Sequence, residues 1–182
     1  MLFSAMKKFA LTLINITIVF AGFAMAQSTV TKSSVTFQVR NLGISVTGNV
    51  SGLKADIQFN PGNLAIASID ASVDANTIST DNSSRDEHLK EAEFFDPAHY
   101  PRIIMKSVSF KHRSGSNFTG FFNLTIKNKT KLVEVPFVFM QKGSAMTFKG
   151  SFKINRLDFG VGDSSLVLSN EVTVNIEAEI RD

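Results

Sequence analysis

Apolar and polar residues alternate along most of this chain. In the run SSVTFQVR, residues 33–40, two valines and a phenylalanine share one face and the polar residues take the other. The same period of two recurs in successive runs as far as EVTVNIEAEI, residues 171–180. Alternation of this kind is typical of β-strands with one buried and one solvated face. We count about eight such strands.

These strands predict an all-β domain. Their near-sequential spacing favours antiparallel hairpins, and eight one-sided strands close their edges best as an up-and-down barrel. The interior of such a barrel is just wide enough for side chains or for one ligand. A sandwich of two packed sheets stays open as the alternative, because alternation alone does not distinguish the two folds.

One segment, STDNSSRDEHLKEAEFFDPAHYP at 79–101, interrupts the alternation. Ser84 and Glu87 have the spacing of a capping box, and Asp96-Pro97 has the pattern of a second helix start. Most of the acidic residues fall in these first turns, where they favour the positive end of the helix dipole. The sequence therefore predicts a short helical insert around residues 84–100.

The N-terminus has the pattern of a secretory signal peptide. Lys7 and Lys8 precede an apolar run, and AMA at 24–26 supplies the small residues that signal peptidase reads. We expect removal of residues 1–26, a single domain at 27–182, and a periplasmic or secreted protein. No later run approaches the ~20 apolar residues of a spanning helix, so we expect no transmembrane segment in the mature chain.

Composition narrows the classes of function. The formal net charge of +3 falls to about +1 without Lys7 and Lys8, and basic residues are not clustered, so we expect no nucleic-acid partner. The absence of cysteine excludes disulfides and thiol catalysis. The chain has 17 phenylalanines but one tyrosine and no tryptophan. Because a Phe ring carries no polar group, this balance indicates an apolar interior.

The residues that could carry chemistry form no catalytic pattern. His88 and His99 are eleven positions apart, whereas a helical zinc pair needs histidines four apart. No serine lies in a Gly-x-Ser-x-Gly elbow. Glu91 and Glu93 are two positions apart on the predicted helix and therefore point to different faces. We expect no metal site, no cofactor and no catalytic residue.

Several motifs resemble the YceI-like family of exported lipocalin-type proteins, over essentially the whole of the predicted mature chain. NRLDFG at 155–160 matches the family's Arg-x-Asp-Phe-Gly motif. The most specific likeness is in the insert, where the residues that stand in the family's order and spacing are Arg85-Asp86, His88-Leu89, Phe94-Phe95-Asp96 and Tyr100-Pro101. Met105, where the family usually has phenylalanine, and Asn128, where a turn glycine is common, depart from the pattern.

This resemblance implies an eight-stranded antiparallel, lipocalin-like barrel that holds a long amphiphilic lipid, polyisoprenoid or quinone-like, for binding, transport or storage. The insert is then expected to pack against the barrel, with Phe94 or Phe95 lining or plugging one end. No cofactor is implied besides such a lipid. The apolar side chains that we predict to line the ligand are Phe37, Val39, Ile44, Phe59, Ile69, Phe118, Phe122, Phe137, Phe139, Phe148 and Phe152.

A separate polar set has two interpretations. Its members are Arg85, Asp86, His88, Arg156 and Asp158. They either form a rim for the ligand's head group or make hydrogen bonds and ion pairs that pin the insert to the barrel. We favour the structural role for the arginines and aspartates, because a buried arginine usually needs a bidentate carboxylate partner and both motifs place an aspartate nearby.

Two other functions stay open from the sequence. One is an enzyme that acts on a bound lipid through His88 or His99 and a neighbouring carboxylate. The other is a barrel filled by side chains, which would serve as a structural or partner-binding module. The sequence does not decide between a monomer and a homodimer.

Overall fold

The computed structural model describes residues 29–181 of the chain. The predicted signal peptide, residues 1–26, lies outside this range, so its assignment stays a prediction. Within the described range, no helix is both long enough and apolar enough to cross a membrane.

The structure is built mainly from β-strands. The strands are β1 (Thr29–Asn41), β2 (Ile44–Val50), β3 (Lys54–Gln58), β4 (Ser68–Asp74), β5 (Arg102–Ser114), β6 (Asn117–Ile126), β7 (Lys129–Lys142), β8 (Ala145–Asn155) and β9 (Leu168–Arg181). One α-helix, α1 (Ser83–Leu89), lies between β4 and β5. Three short 3₁₀ helices occupy Leu64–Ile66, Ala75–Thr77 and Arg156–Phe159.

All nine strands belong to one curled antiparallel sheet with the order β2-β1-β9-β8-β7-β6-β5-β4-β3. The predicted all-β antiparallel architecture is confirmed, and the described strands do not divide into a sandwich. The count is nine because the stretch 44–58 contributes two short strands at opposite edges of the sheet, β2 paired with β1 and β3 paired with β4. Gly52, with φ +69°, lies where the chain passes between these edges.

A few backbone and side-chain hydrogen bonds connect the two edges of the sheet, between the end of β2 and the chain that follows β4. Asn49 in β2 forms an isolated antiparallel bridge with Ser79, beyond the end of β4. The Asp74 amide donates to the Ser51 carbonyl oxygen at 3.0 Å, and the Ser51 amide donates to Thr77 Oγ1 at 2.7 Å. The 3₁₀ turn Ala75–Thr77 therefore joins the edge strands where no strand-to-strand ladder does so among the described residues.

The strands follow the alternation of the sequence. Along β7, Val135, Phe137 and Phe139 are buried, whereas Glu134 and Pro136 between them are exposed. A strand places successive side chains on opposite faces, so the apolar set of each strand faces the concave side of the sheet. The concave side therefore forms a common interior.

Phenylalanines fill one end of this interior. Phe59, directly after β3, lies at the centre of five other rings at centroid distances of 4.8 to 5.7 Å, mostly edge-to-face. These rings are Phe110, Phe118, Phe137, Phe139 and Phe148, and with Phe59 we call them the Phe cluster. Its members lie near the β5–β6 and β7–β8 turns, at the end of the barrel away from α1. The Phe cluster is therefore the floor of the interior.

The insert is helical over a shorter range than predicted. The α1 helix begins at Ser83, and its cap is the side chain of Asn82, which accepts from the Arg85 amide at 2.9 Å. The predicted cap, Ser84, lies within the helix because Asn82 already has the extended backbone of a capping residue. Asp96-Pro97 starts a turn instead of a second helix, since Asp96 has φ +46°.

Phe59→Ala is expected to lower the free energy of unfolding by about 3–5 kcal/mol, because it leaves a void among five rings. Ile66→Ala, at an exposed position in the same β3–β4 connection, is the control and should change it by less than about 0.5 kcal/mol. Urea unfolding followed by circular dichroism measures both. A cost below about 1 kcal/mol for Phe59→Ala would contradict the assignment of the floor.

Candidate functional site

A cavity of about 470 Å³ lies inside the curled sheet, between the Phe cluster and the insert. Its volume is within the range of about 300–1,000 Å³ that is typical of small-molecule sites. All nine strands and α1 contribute residues to a wall made mostly of Val, Ile, Leu and Phe side chains. The arrangement suits an apolar ligand.

Most of the predicted lining residues lie in the wall of this cavity. These are Phe37, Val39, Ile69, Phe122, Phe137, Phe148 and Phe152. Phe37 and Val39 on β1 pair with Val174 and Val172 on β9, which also lie in the wall. Phe137 and Phe148 belong both to the wall and to the Phe cluster, so they form the surface of the floor.

Four predicted lining residues lie elsewhere. Phe59, Phe118 and Phe139 are buried within the Phe cluster, behind the rings that the cavity exposes. Ile44 is on the protein surface, and its prediction as an inward residue is wrong. It pairs with Asn41 next to the β1–β2 turn, beyond the end of the wall, and Val46, opposite Val39, takes the inward position.

Aliphatic residues form more of the wall than we predicted. Our selection favoured phenylalanine, although the alternation already placed several of the missed residues on the inward faces. The wall also contains Val35, Val46, Val50, Ala55, Ile57, Val73, Ile103, Leu124, Val135, Ile154, Val172, Val174 and Ile176. The insert adds Leu89, Phe94 and Phe95. The family resemblance led us to expect Phe94 or Phe95 at one end of the barrel, whereas Leu89 was not among the predicted lining residues.

The mouth of the cavity lies between α1 and the loop before β9. Among the wall residues that the structure describes, the two with exposed side chains are His88, on α1, and Val167, in the loop 161–167. Asn41 and Leu168, which pair with each other at the ends of β1 and β9, border the same opening. The insert therefore borders the opening on one side and the end of β1 borders it on the other.

Arg156 is buried in the wall and fastens the loop beside the mouth. Its guanidinium donates to the carbonyl oxygens of Val161 at 2.9 Å, Asp163 at 2.7 Å and Ser169 at 3.0 Å. Nη2 also reaches Asn170 Oδ1 at 3.2 Å. Burial lowers the pKa of Arg156, and the Asp163 carboxylate opposes this shift; an arginine nevertheless stays charged at neutral pH.

The predicted ion pair of this arginine is wrong. Asp158 is exposed, and no carboxylate lies within ion-pair distance of the Arg156 guanidinium among the described residues. Backbone carbonyls replace the carboxylate because the chain after the 3₁₀ helix wraps around the arginine and presents its oxygens inward. Arg156 therefore holds the loop after the 3₁₀ helix to the barrel through neutral acceptors, whereas we had expected its structural role to be pinning the insert.

Arg85 and Asp86 meet at Thr80, which is buried at the start of the insert. Arg85 donates to Thr80 Oγ1 at 2.7 Å and to the Thr80 carbonyl oxygen at 2.9 Å. Asp86 accepts from the Thr80 hydroxyl and amide and from Ser79 Oγ. The hydrogen bond from the Thr80 hydroxyl holds the pKa of Asp86 below its usual range, against the opposing effect of burial. This network anchors α1 to the chain that bridges the sheet edges.

His88 lies at the mouth between two glutamates. Its Nδ1 is 3.1 Å from Glu91 Oε2 and its Nε2 is 3.3 Å from Glu93 Oε1. These three exposed side chains are the described residues whose ligand atoms are close enough to share a metal ion. The Nδ1–Glu91 contact is a hydrogen bond, whereas the Nε2–Glu93 contact is an approach within ion-pair distance. The ring also packs against Phe94 at 4.8 Å.

The other predicted catalytic candidate lies away from the cavity. His99 Nδ1 is 2.8 Å from Asp96 Oδ1, but the imidazole is exposed and does not belong to the wall. His88, in contrast, borders the mouth. The two histidines therefore do not form one site.

Arg156→Lys is expected to lower the free energy of unfolding by about 3 kcal/mol, because three ammonium donors cannot serve all the acceptors of the guanidinium and hydrogen bonds to a buried charge are costly to lose. The control is Asp158→Asn, which should cost less than about 0.5 kcal/mol. Chemical denaturation measures both. Equal losses of unfolding free energy in the two variants would indicate that Asp158 is a partner of Arg156 after all, and would contradict the assignment of backbone acceptors.

Asp86→Asn is expected to destabilise the protein at neutral pH, with the difference from wild type shrinking in acid. The pKa of Asp86 is lowered in the folded state, so its contribution is complete above the ordinary aspartate value of about 3.9 and is lost as pH falls through the lowered value. Urea unfolding at a series of pH values measures this, with Asp81→Asn as the control in the same segment. A difference that grows on acidification would refute the network.

Comparison with known proteins extends the likeness across the chain. The protein YceI of Salmonella arizonae is 27% identical over 152 residues, which are 80% of this chain and 79% of that protein. The crystal structure of BcnA from Burkholderia cenocepacia has a TM-score of 0.77 at 23% identity, covering 81% of this chain and 95% of that one.

A polyisoprenoid binding domain from Saccharophagus degradans, implicated in plant cell wall breakdown, has a TM-score of 0.68 at 12% identity and covers 85% and 97% of the two chains. At these identities the two structures show a shared fold alone. The sequence model of the YceI-like domain matches residues 27–180, which include almost every described residue and the whole wall of the cavity. The chain therefore belongs to the YceI-like domain family.

Proposed function

We propose that this protein binds the hydrocarbon chain of a long amphiphilic lipid, polyisoprenoid or quinone-like, in the interior cavity. The observation that carries the proposal is the cavity of about 470 Å³ with its wall of aliphatic and phenyl side chains. The fold shared with the polyisoprenoid binding domain of Saccharophagus degradans supports the same class of ligand. Membership of the YceI-like domain family is consistent with a binding protein.

The polar groups of the wall favour a ligand with an apolar body. Every fully buried side-chain nitrogen or oxygen in the described part of the chain already has a hydrogen-bond partner. Arg156 and Thr80, both in the wall, use theirs on the loop and the insert. A polar ligand body would lose its hydration without finding free partners, whereas a hydrocarbon loses nothing.

Apolar burial alone supplies enough affinity. Ten buried methylenes contribute on the order of 8 kcal/mol at ~0.8 kcal/mol each, and association costs offset several kcal/mol of this. A longer chain therefore binds without a charged anchor. His88, exposed at the mouth end of the wall, is the proposed contact for a head group that stays near solvent, while Arg85, Asp86 and Arg156 keep their structural hydrogen bonds.

The proposed role is transport or storage outside the cytoplasm, without catalysis. The location rests on the predicted signal peptide at residues 1–26. We propose no catalytic role because the buried polar side chains of the wall serve structural hydrogen bonds and His99 lies outside it. His88, which is in the wall, is exposed at the mouth and faces the exposed Glu91 and Glu93. The cavity also argues against a barrel filled solid by side chains.

Val39→Trp is expected to weaken lipid binding at least about tenfold, because the larger side chain occupies space in the cavity; tenfold corresponds to about 1.4 kcal/mol. Gln38→Trp, the neighbouring outward position on β1, is the matched control and should bind as wild type does. Delipidated protein titrated with a polyprenol or ubiquinone, followed by native mass spectrometry, measures both. Organic extraction of freshly purified protein identifies the natural ligand. Failure of the wild type to take up either lipid or a fatty acid would refute the proposed function.

A further inference from the structure

Two adjacent turns at the mouth expose large aliphatic side chains. Leu42 and Ile44, in and after the β1–β2 turn, are 71% and 70% exposed, and Leu166 and Val167, before β9, are 106% and 48% exposed. The Leu42 amide donates to the Val167 carbonyl oxygen at 2.9 Å, so the two turns lie side by side. We call these four side chains the apolar rim.

The rim is continuous with the cavity. Val167 is both exposed and part of the wall. Its neighbours Leu168 and Asn41 pair across β9 and β1 and also lie in the wall. Val167 therefore joins the rim directly to the apolar wall of the cavity, with the polar Asn41 beside it.

The loop that carries Leu166 is held in place. The Ser165 hydroxyl accepts from the amides of Val167 and Leu168 at 3.2 and 3.1 Å, forming a tight turn. Arg156 binds the carbonyl oxygens on both sides of this turn, at Asp163 and Ser169. The exposure of Leu166 is therefore built into the structure and does not come from a loosely attached loop.

Leu42 occupies a backbone position that suits other residues. Leu42 has φ +52° and Gly43 has φ +78°, the pattern of a two-residue turn that favours Asn-Gly or Asp-Gly. The other described non-glycine residues with positive φ are two aspartates and a lysine. A leucine here is strained and solvated at once. Leu42 therefore departs from the usual preferences both in its backbone conformation and in its exposure to water. Such a combination at one position indicates that the side chain has a function.

We propose that the apolar rim docks on the surface of a lipid bilayer and inserts among the acyl chains, so that the mouth opens toward the membrane. A second copy of the chain is a poor occupant, because a stable protein interface needs about 20–30 residues a side and the rim has four large apolar side chains on two tight turns. Arg40 and Asp163 flank the rim with opposite charges, so docking depends on apolar insertion and not on anionic lipid.

The inference that the lipid enters and leaves the cavity through the apolar rim rests on the proposed function. The inference that the rim docks on a bilayer does not depend on it. An amphiphile whose chain already lies in a bilayer reaches the cavity along the rim and Val167 without passing through water. The rim is then the entry and exit surface for the ligand.

The test uses tryptophan as a local reporter, since the chain has none. In full-length protein, Leu166→Trp should shift its emission to shorter wavelength when phosphatidylcholine vesicles are added, and equally when part of the lipid is phosphatidylglycerol. Leu132→Trp replaces another exposed leucine, 62% exposed on the outer surface at β7, and should not shift.

Four results would overturn docking by the rim. They are the absence of a shift for Leu166→Trp, equal shifts for both variants, a shift with anionic vesicles alone, and a concentration-dependent shift without vesicles, which would assign the rim to a second copy. If the Leu166→Trp variant docks on vesicles but the protein takes up no lipid from any source, the proposed function is refuted while docking by the rim is supported.

A second variant separates docking from folding and from capacity. Leu42→Asn with Leu166→Asn should slow polyprenol transfer from vesicles about tenfold, as expected from the loss of two inserted side chains, and leave the amount bound from ethanol solution unchanged. Because asparagine suits the positive φ at residue 42, the unfolding temperature should not fall. Equal loss from both lipid sources would contradict an entry role for the rim.

Discussion

The architecture depends on one constraint: nine strands paired in a single curled ladder must present their apolar faces to the same interior. The backbone hydrogen bonds of the ladder fix the spacing of neighbouring strands, so the backbone cannot collapse freely to close every gap between the side chains. Large rings fill the end at the β5–β6 and β7–β8 turns. Smaller aliphatic side chains line the other end and leave it open. An unfilled apolar space forfeits dispersion contacts, and a hydrocarbon in it would supply them.

The polar residues near the cavity complete the scaffold. Arg156 gathers backbone oxygens that the wrapped loop would otherwise bury without partners, and Thr80 joins Arg85 and Asp86 at the base of the insert. Buried polar groups must be satisfied or they cost several kcal/mol. With these groups occupied, the wall presents a mainly apolar surface to the cavity, and the two segments that border the mouth are fastened independently of each other.

The residues around the mouth depart from the hydrophobic pattern and the backbone preferences that the rest of the structure follows. Apolar residues along the strands face inward, yet four lie in water on the two turns beside the opening. A leucine occupies a positive-φ position that would suit asparagine. Local inconsistencies in an otherwise consistent structure tend to mark function, and here they coincide with the one part of the wall that reaches solvent.

Much of the fold follows from the sequence. The period of two predicts the strands and their buried faces, because a pleated strand allows no other arrangement of alternating residues. The insert and its acidic helix start were also predictable from residues 79–101, although the competing cap at Asn82 was not recognised. Much of the wall was within reach of the same pattern: Val172 and Ile176 were on the inward face of their run, but our selection favoured phenylalanine.

Only the tertiary structure decided the rest, because it depends on residues that are distant in the chain. The placing of the two short strands of 44–58 at opposite edges of the sheet depends on which partner each of them finds. The acceptors of Arg156 are backbone oxygens, which carry no sequence signal, and this is why a carboxylate was expected. Whether rings fill the interior or leave it open depends on the curl of the sheet. Ile44 and Leu166 become neighbours of the mouth only when β1 and β9 pair.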